Sequence, residues 1–274
     1  MISLKQPKCS RQMSESWPTV ALLTFSGGLQ DAYSYCVRGK VFANAQTGNI
    51  VLMSQCFFAG EWLGGVHYLV PLFAFAFGVF IAEQIRARYA ALRAVHWRQL
   101  IVLGEILLLF AVGFFPSSMD LAGNALVSFA CAMQVQAFRK INGYPYASTM
   151  CIGNLRSGVE AFSAYLRTKD SALVKKAGHY FGVIGLFALG AGTGGMLCGQ
   201  LGLRTIWVCC ALLSIGFSLM FLKEDIQENA EIQTAWTHIR TDAAQAEAEA
   251  RNIGHALSQE IQQQAKELHN PDER

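Results

Sequence analysis

Six apolar runs, 17 to 24 residues long, occupy most of the first 222 residues: Trp17–Val37, Val66–Ile85, Gln99–Phe115, Asp120–Phe138, Ala177–Gln200 and Thr205–Leu222. A helix needs about 20 residues to cross the hydrocarbon core of a bilayer. The runs therefore predict an all-α polytopic membrane protein. Two weaker runs lie between them, Val41–Gly60 and Tyr146–Leu166. Each carries a Gly-Asn pair near its start, Gly48-Asn49 and Gly153-Asn154, and the second also carries Arg156 and Glu160. These two are expected to be short or re-entrant helices.

Charge supports that division. Only 15% of residues are charged and 53% are hydrophobic, against about 25% charged in soluble domains. Residues 1–222 hold 17 Lys and Arg against 8 Asp and Glu; residues 223–274 hold 5 against 11. The overall net charge of +3 thus hides a basic apolar part and an acidic tail. The basic residues sit in short loops rather than on one face, which gives no footprint for nucleic acid. With six spans, the clusters at Lys5–Arg11, Arg86–Arg98, Arg139-Lys140 and Arg167–Lys176 all fall on one side, the cytoplasmic one. Both termini are then cytoplasmic. Arg38 and Lys40 are the exception, on the outer side. Eight full spans would leave the clusters on both sides, and stand as the alternative.

The order span, Gly-Asn segment, span, span occurs twice, about 17–115 and about 120–222. Three spans per half is odd, so the halves have opposite orientation, as in many transporters built from inverted repeats. At an offset of 105 residues, Ala32/Ala137, Gly48/Gly153, Asn49/Asn154, Phe57/Phe162 and Ala59/Ala164 coincide. At an offset of 114, Leu72–Ala74 matches Leu186–Ala188.

A polar group in an apolar medium must find partners or serve a ligand. Thr47, Gly48 and Asn49 suggest a break whose helix start points inward, where its partial positive charge suits an anion; Gly153 and Asn154 suggest a second. The alternative makes Asn49 and Asn154 helix caps or interhelical glue. Asp31, beside Gln30 in the first span, is either a titrating cavity residue or the partner of Arg38 or Arg156. Gln134 and Gln136 could meet a solute or join helices. Glu105 is a lone acid or the partner of a base such as Arg156, and Arg156 and Glu160 have the spacing of a helical ion pair. Gly190/Gly194 and two similar pairs predict close helix packing.

The eight cysteines show no metal spacing and read as reduced packing residues. No nucleophile elbow, phosphate loop, dinucleotide fingerprint or acid–base cluster is present, so no enzyme activity and no cofactor are expected. Residues 1–16 have no apolar core and read as a cytoplasmic segment. Residues 223–274 are rich in Ala, Glu and Gln and predict an amphipathic cytoplasmic helix that could bind a protein partner or a second copy.

The stretch "FSGGLQDAYSYCVRGKVFANAQTGNIVLMS", Phe25 to Ser54, resembles the YoaK-type family of integral membrane proteins. A second stretch, Ala147 to Phe162, is similar to that family's other Gly-Asn segment, with Ile152 where a threonine is expected. The resemblance covers about 16–222 and implies a bacterial inner-membrane protein; the tail looks like an addition. The reading that results is a small-solute transporter working by alternating access, with a bilayer and an unknown solute as partners. Asp31, Thr47, Gly48, Asn49, Gly153 and Asn154 would line the path, with Gln30, Gln134 and Arg156 next. The alternative is a non-transporting scaffold or sensor that acts through the tail.

Overall fold

The computed structural model describes residues 16–89, 97–141 and 144–220. The expected tail helix and the N-terminal segment 1–15 lie outside the described residues. The described chain is all-α apart from a two-residue antiparallel ladder, Lys140–Ile141 with Tyr144–Pro145.

Helix α1 is Trp17–Val37, with Pro18 in its first turn, where a missing N–H costs nothing. It ends at Arg38, and Gly39 and Lys40 at positive φ turn the chain. Helix α2, Gln46–Phe58, stops at Gly60, also at positive φ. Its 13 residues measure about 20 Å, short of a bilayer core. Helices α3, Trp62–Tyr89, and α4, Trp97–Val112, complete the first half. A 3-10 turn at Ser117–Met119 leads to α5, Asp120–Ala137. Then come α6, Cys151–Thr168, and α7, Ser171–Leu201. The Asp170 side chain caps α7 by accepting the Ala172 N–H at 2.9 Å. A 3-10 turn at Gly202–Thr205 separates α7 from a last helical stretch, α8, at 206–220.

Two helical stretches among the described residues are long and apolar enough to cross a membrane: Trp62–Tyr89, and Ser171–Met220, which the turn at Gly202 divides. Their outer faces are apolar as well. Leu63, Leu189 and Met196 are all more than 60% exposed, which water disfavours and lipid does not.

The two halves are built alike. Helix α1 packs along α7, and α5, its counterpart at the offset of 105, packs along α3. Likewise α2 lies on α3 and α6 on α7. The neighbours Trp17/Gly182, Phe25/Gly190 and Ala32/Gly194 make α1 parallel to α7. Gly78/Phe129 and Glu83/Gln136 make α3 parallel to α5. The pairs Leu23/Gln134, Gln30/Cys131 and Arg38/Asp120 run in opposite senses, so α1 and α5 are antiparallel. A side chain on Gly28 would collide with the Phe187 carbonyl, and one on Gly190 with that of Phe25. The Gly190/Gly194 pair therefore does what small-residue spacing predicts, bringing two backbones together. Gly185, Gly192, Gly195 and Gly199 touch nothing comparable.

The core lies between α1, α4, α5 and α8, around Leu23, Ile101, Leu109, Val127 and Leu213, each at most 1% exposed. Among the described residues three charged ones, Asp31, Arg38 and Glu105, enter the buried interior. Arg38 pairs with Asp120 at 2.8 Å, not with Asp31. Glu105 accepts from the Gln30 amide at 3.1 Å and not from Arg156, which is exposed on α6. The salt bridges among the described residues join Arg38 to Asp120 and Arg86 and Arg139 to Glu83. Arg156 and Glu160, both exposed on α6, are not paired.

Candidate functional site

After α1 and after α5 the chain runs through a non-helical segment before the next helix begins. Backbone groups of such a segment need partners other than a helix. Asn49 supplies them at Phe42. Its Oδ1 accepts the Phe42 N–H at 3.0 Å and its Nδ2 donates to the Phe42 carbonyl at 2.7 Å. Asn154 repeats this on Ala147: Oδ1 accepts the N–H at 3.4 Å and Nδ2 donates to the carbonyl at 2.7 Å. Both clasps close seven residues back, and the two pairs are related by the offset of 105. Only a side-chain amide offers donor and acceptor together at this reach. Asn49→Ala or Asn154→Ala should each lower stability by about 1–3 kcal/mol, the cost of leaving buried backbone groups unpaired. Asn→Asp should restore neither, because it lacks the donor. Thermal unfolding in detergent reads both substitutions.

The clasps hold two loops against one cavity of about 620 Å³. Asn44, Gln46 and Thr47 line it from the first half, and Thr149, Cys151, Ile152 and Gly153 from the second. Asn44 and Thr149, Gln46 and Cys151, and Thr47 and Ile152 are pairs at the offset of 105. Phe73 on α3 and Phe187 on α7, the pair at offset 114, both line it, with Leu72 and Phe75 adding apolar wall.

Among the described residues Asp31 is the one acid of that lining, and no Lys, Arg or His belongs to it. It is 5% exposed. Its Oδ1 accepts the Asn44 N–H at 2.7 Å, and the backbone N–H groups of Ala43 and Ala45 lie beside it. Ser34, one turn on, donates to the Asp31 carbonyl at 3.2 Å and receives the Ala43 N–H at 3.1 Å. The loop leading to α2 is therefore wrapped around the Asp31 carboxylate.

The sequence candidates thus separate by position. Asp31, Thr47 and Gly153 line the cavity. Asn49 and Asn154 shape its loops, and Gly48 is small because the Phe42 ring would stand 3.0 Å from its Cβ. Gln134 donates to the Leu23 carbonyl at 3.2 Å and to Ser148 Oγ at 3.3 Å, tying α5 to α1 and to the second loop. Gln30 belongs to a buried polar cluster. It donates to Ser26 and Glu105, each at 3.1 Å, and accepts the Cys131 thiol at 2.7 Å. Gln136 joins the Glu83 cluster. Arg156 is exposed on α6 and does not line the cavity. Among the described residues no group of three His, Cys, Asp or Glu could hold a metal.

Asn44, Gln46, Thr149 and Cys151 were absent from the sequence candidates. Their one sequence signal is position: they precede each Gly-Asn pair at matching offsets. Residues 19–219 match the model of a family described as proteins of unknown function, DUF1275. No curated protein and no solved structure matches the chain.

Proposed function

We propose, for a chain that belongs to the DUF1275 family of proteins of unknown function, the role of a small-solute transporter in the bacterial inner membrane. Helices α1, α3, α4, α5, α7 and α8 would span, with α2 and α6, which carry the Gly-Asn pairs, entering from opposite sides. The two halves would form inverted repeats that rock against each other around a fixed central site.

One observation carries this reading: the loops of two antiparallel halves meet at a single cavity that holds a buried carboxylate. Irregular backbone at membrane depth is tolerated where it lines such a cavity. The fate of Arg38 adds support. It is fully buried in an ion pair and against carbonyls, so it leaves the loop-charge count. The exception to the charge asymmetry then shrinks to Lys40.

The test is solute exit from proteoliposomes loaded with a mixture of small metabolites and followed by mass spectrometry. At least one solute should leave faster than from protein-free vesicles. Identical loss profiles with and without protein would remove the transport reading.

A further inference from the structure

Glu105 is a buried acid that the cavity does not use. It lies mid-way along α4 and is 0% exposed, on the helix face that carries the buried Ile101, Val102, Leu109 and Val112. Gln30 Nε2 donates to its Oε1 at 3.1 Å, and its Oε2 has no partner. No base stands with it. Among the described residues the one buried base is Arg38, which is engaged by Asp120. The titratable groups near Glu105 are thiols: Cys131 from α5, and Cys209 and Cys210 from α8. From α1 comes the uncharged Gln30 amide. Glu83, the acid of α3, is held by Gln136, Arg86 and Arg139. An ionised carboxylate taken out of water without a cation is so costly that the group takes up a proton instead. The lone amide partner suits a proton that comes and goes. A side-chain amide carries both a donor and an acceptor. Gln30 can give its N–H to a charged Glu105 or, turned over, its carbonyl to a protonated one.

A polar run leads from Glu105 toward the cavity. The Cys131 thiol donates to Gln30 Oε1 at 2.7 Å. The Asn44 side chain stands next to that thiol. Asn44 lines the cavity together with Asp31, whose Oδ1 accepts the Asn44 N–H at 2.7 Å. Glu105, Gln30, Cys131 and Asn44 thus connect the core to the cavity wall with no apolar side chain between them. The run passes from α4 and α1 of the first half to α5 of the second and back to the loop before α2. Relative motion of the halves would break and remake it.

We propose that Glu105 is a proton-binding site, occupied in this conformation, and that its proton is exchanged through this run as the halves rock, which makes a proton the coupling ion. The exchange rests on the transport reading above; the site itself does not.

The full-length protein in lipid nanodiscs is read by infrared spectroscopy at neutral pH. A protonated carboxylic acid absorbs apart from the amide bands, shifts in heavy water and loses that band once ionised. Glu105→Gln should remove one such band, and Asp31→Asn should leave it in place. If Glu105→Gln does not fold, glutamate isotopically labelled in its side-chain carboxyl should shift the band in the parent. A band lost with Asp31→Asn instead, or no band that answers to the variant or the label, overturns the site. Proteoliposomes loaded with the metabolite mixture are then given a proton gradient of either direction. Exit of at least one solute should change several-fold between the two directions in the parent and should ignore the direction in Glu105→Gln. Exit that ignores the gradient in the parent, or follows it still in Glu105→Gln, overturns the coupling and leaves the transport reading standing. If no solute exits under either gradient, transport and coupling fail together, and the infrared band alone decides the site.

Discussion

Arg38→Ala should remove most of the folded protein, the largest stability loss expected of any single substitution. The guanidinium is fully buried at the end of α1. Its Nε donates to the Tyr33 hydroxyl at 2.9 Å. Nη1 donates to Asp120 at 2.8 Å and to the Pro116 carbonyl at 3.2 Å. Nη2 reaches the carbonyls of Val112 and Phe115 at 2.9 and 2.8 Å. Its own carbonyl receives the Asn124 amide at 2.6 Å. One side chain therefore caps the C-terminus of α4, where carbonyls lack helical partners and a cation is favoured. It also joins α1 to the start of α5, the seam between the halves. Alanine would leave Asp120 and those carbonyls uncompensated. Breaking a buried ion pair from one side costs about 3–5 kcal/mol, a large share of the ~5–15 kcal/mol that holds a typical domain. Lysine keeps the charge but cannot fork to several acceptors, so Arg38→Lys should fall between. Folded yield and thermal unfolding in detergent read both variants. Arg38→Ala melting within about 2 °C of the parent would contradict this role.

The second large effect concerns function with the fold left intact. Gly153 lines the cavity, and a Cβ there meets nothing within 4 Å. Gly153→Phe should therefore fold normally, place its ring in the cavity and abolish protein-dependent solute exit. Its partner in the repeat behaves oppositely. A Cβ on Gly48 would stand 3.0 Å from the Phe42 ring, so Gly48→Phe should push the first loop apart and melt early. Two glycines at the same motif position thus give an occluded stable protein and an unstable one. Unchanged solute exit through a well-folded Gly153→Phe would show that solute does not pass this cavity.

Much of the fold was legible in the apolar runs. The first predicted span, Trp17–Val37, coincides with α1 residue for residue, and Asp120–Phe138 with α5 to within one. Hydrophobic length reports helices well because burial or lipid must cover every turn of them. The offset of 105 was legible too, since the Asn49 and Asn154 clasps make the same two bonds. What those asparagines bond to was not. A polar residue in an apolar run announces that a partner exists, and tertiary packing decides whether the partner is backbone or solute. Glu105 shows the same limit: the sequence makes it a lone acid or the partner of a base such as Arg156, and the fold brings it to the Gln30 amide. Arg38 was counted as a loop charge because sequence records its place outside a span and not the carbonyls around it. Asn44 and Thr149 escaped notice because they sit in ordinary loop sequence, and only the wrapping of each loop turns them to the cavity.

Cys151 offers the most direct test of the central claim, that the cavity opens to both sides of the membrane. It is a native residue of the cavity lining, so no label needs to be introduced there. With the other seven cysteines replaced by serine, sealed right-side-out and inside-out vesicles are each treated with a membrane-impermeant maleimide. Labelling of Cys151 from both sides, suppressed on both by Gly153→Phe, is the predicted result. Labelling from neither side, or from one side only, in protein whose Cys151 reacts fully once denatured, would contradict alternating access through this cavity.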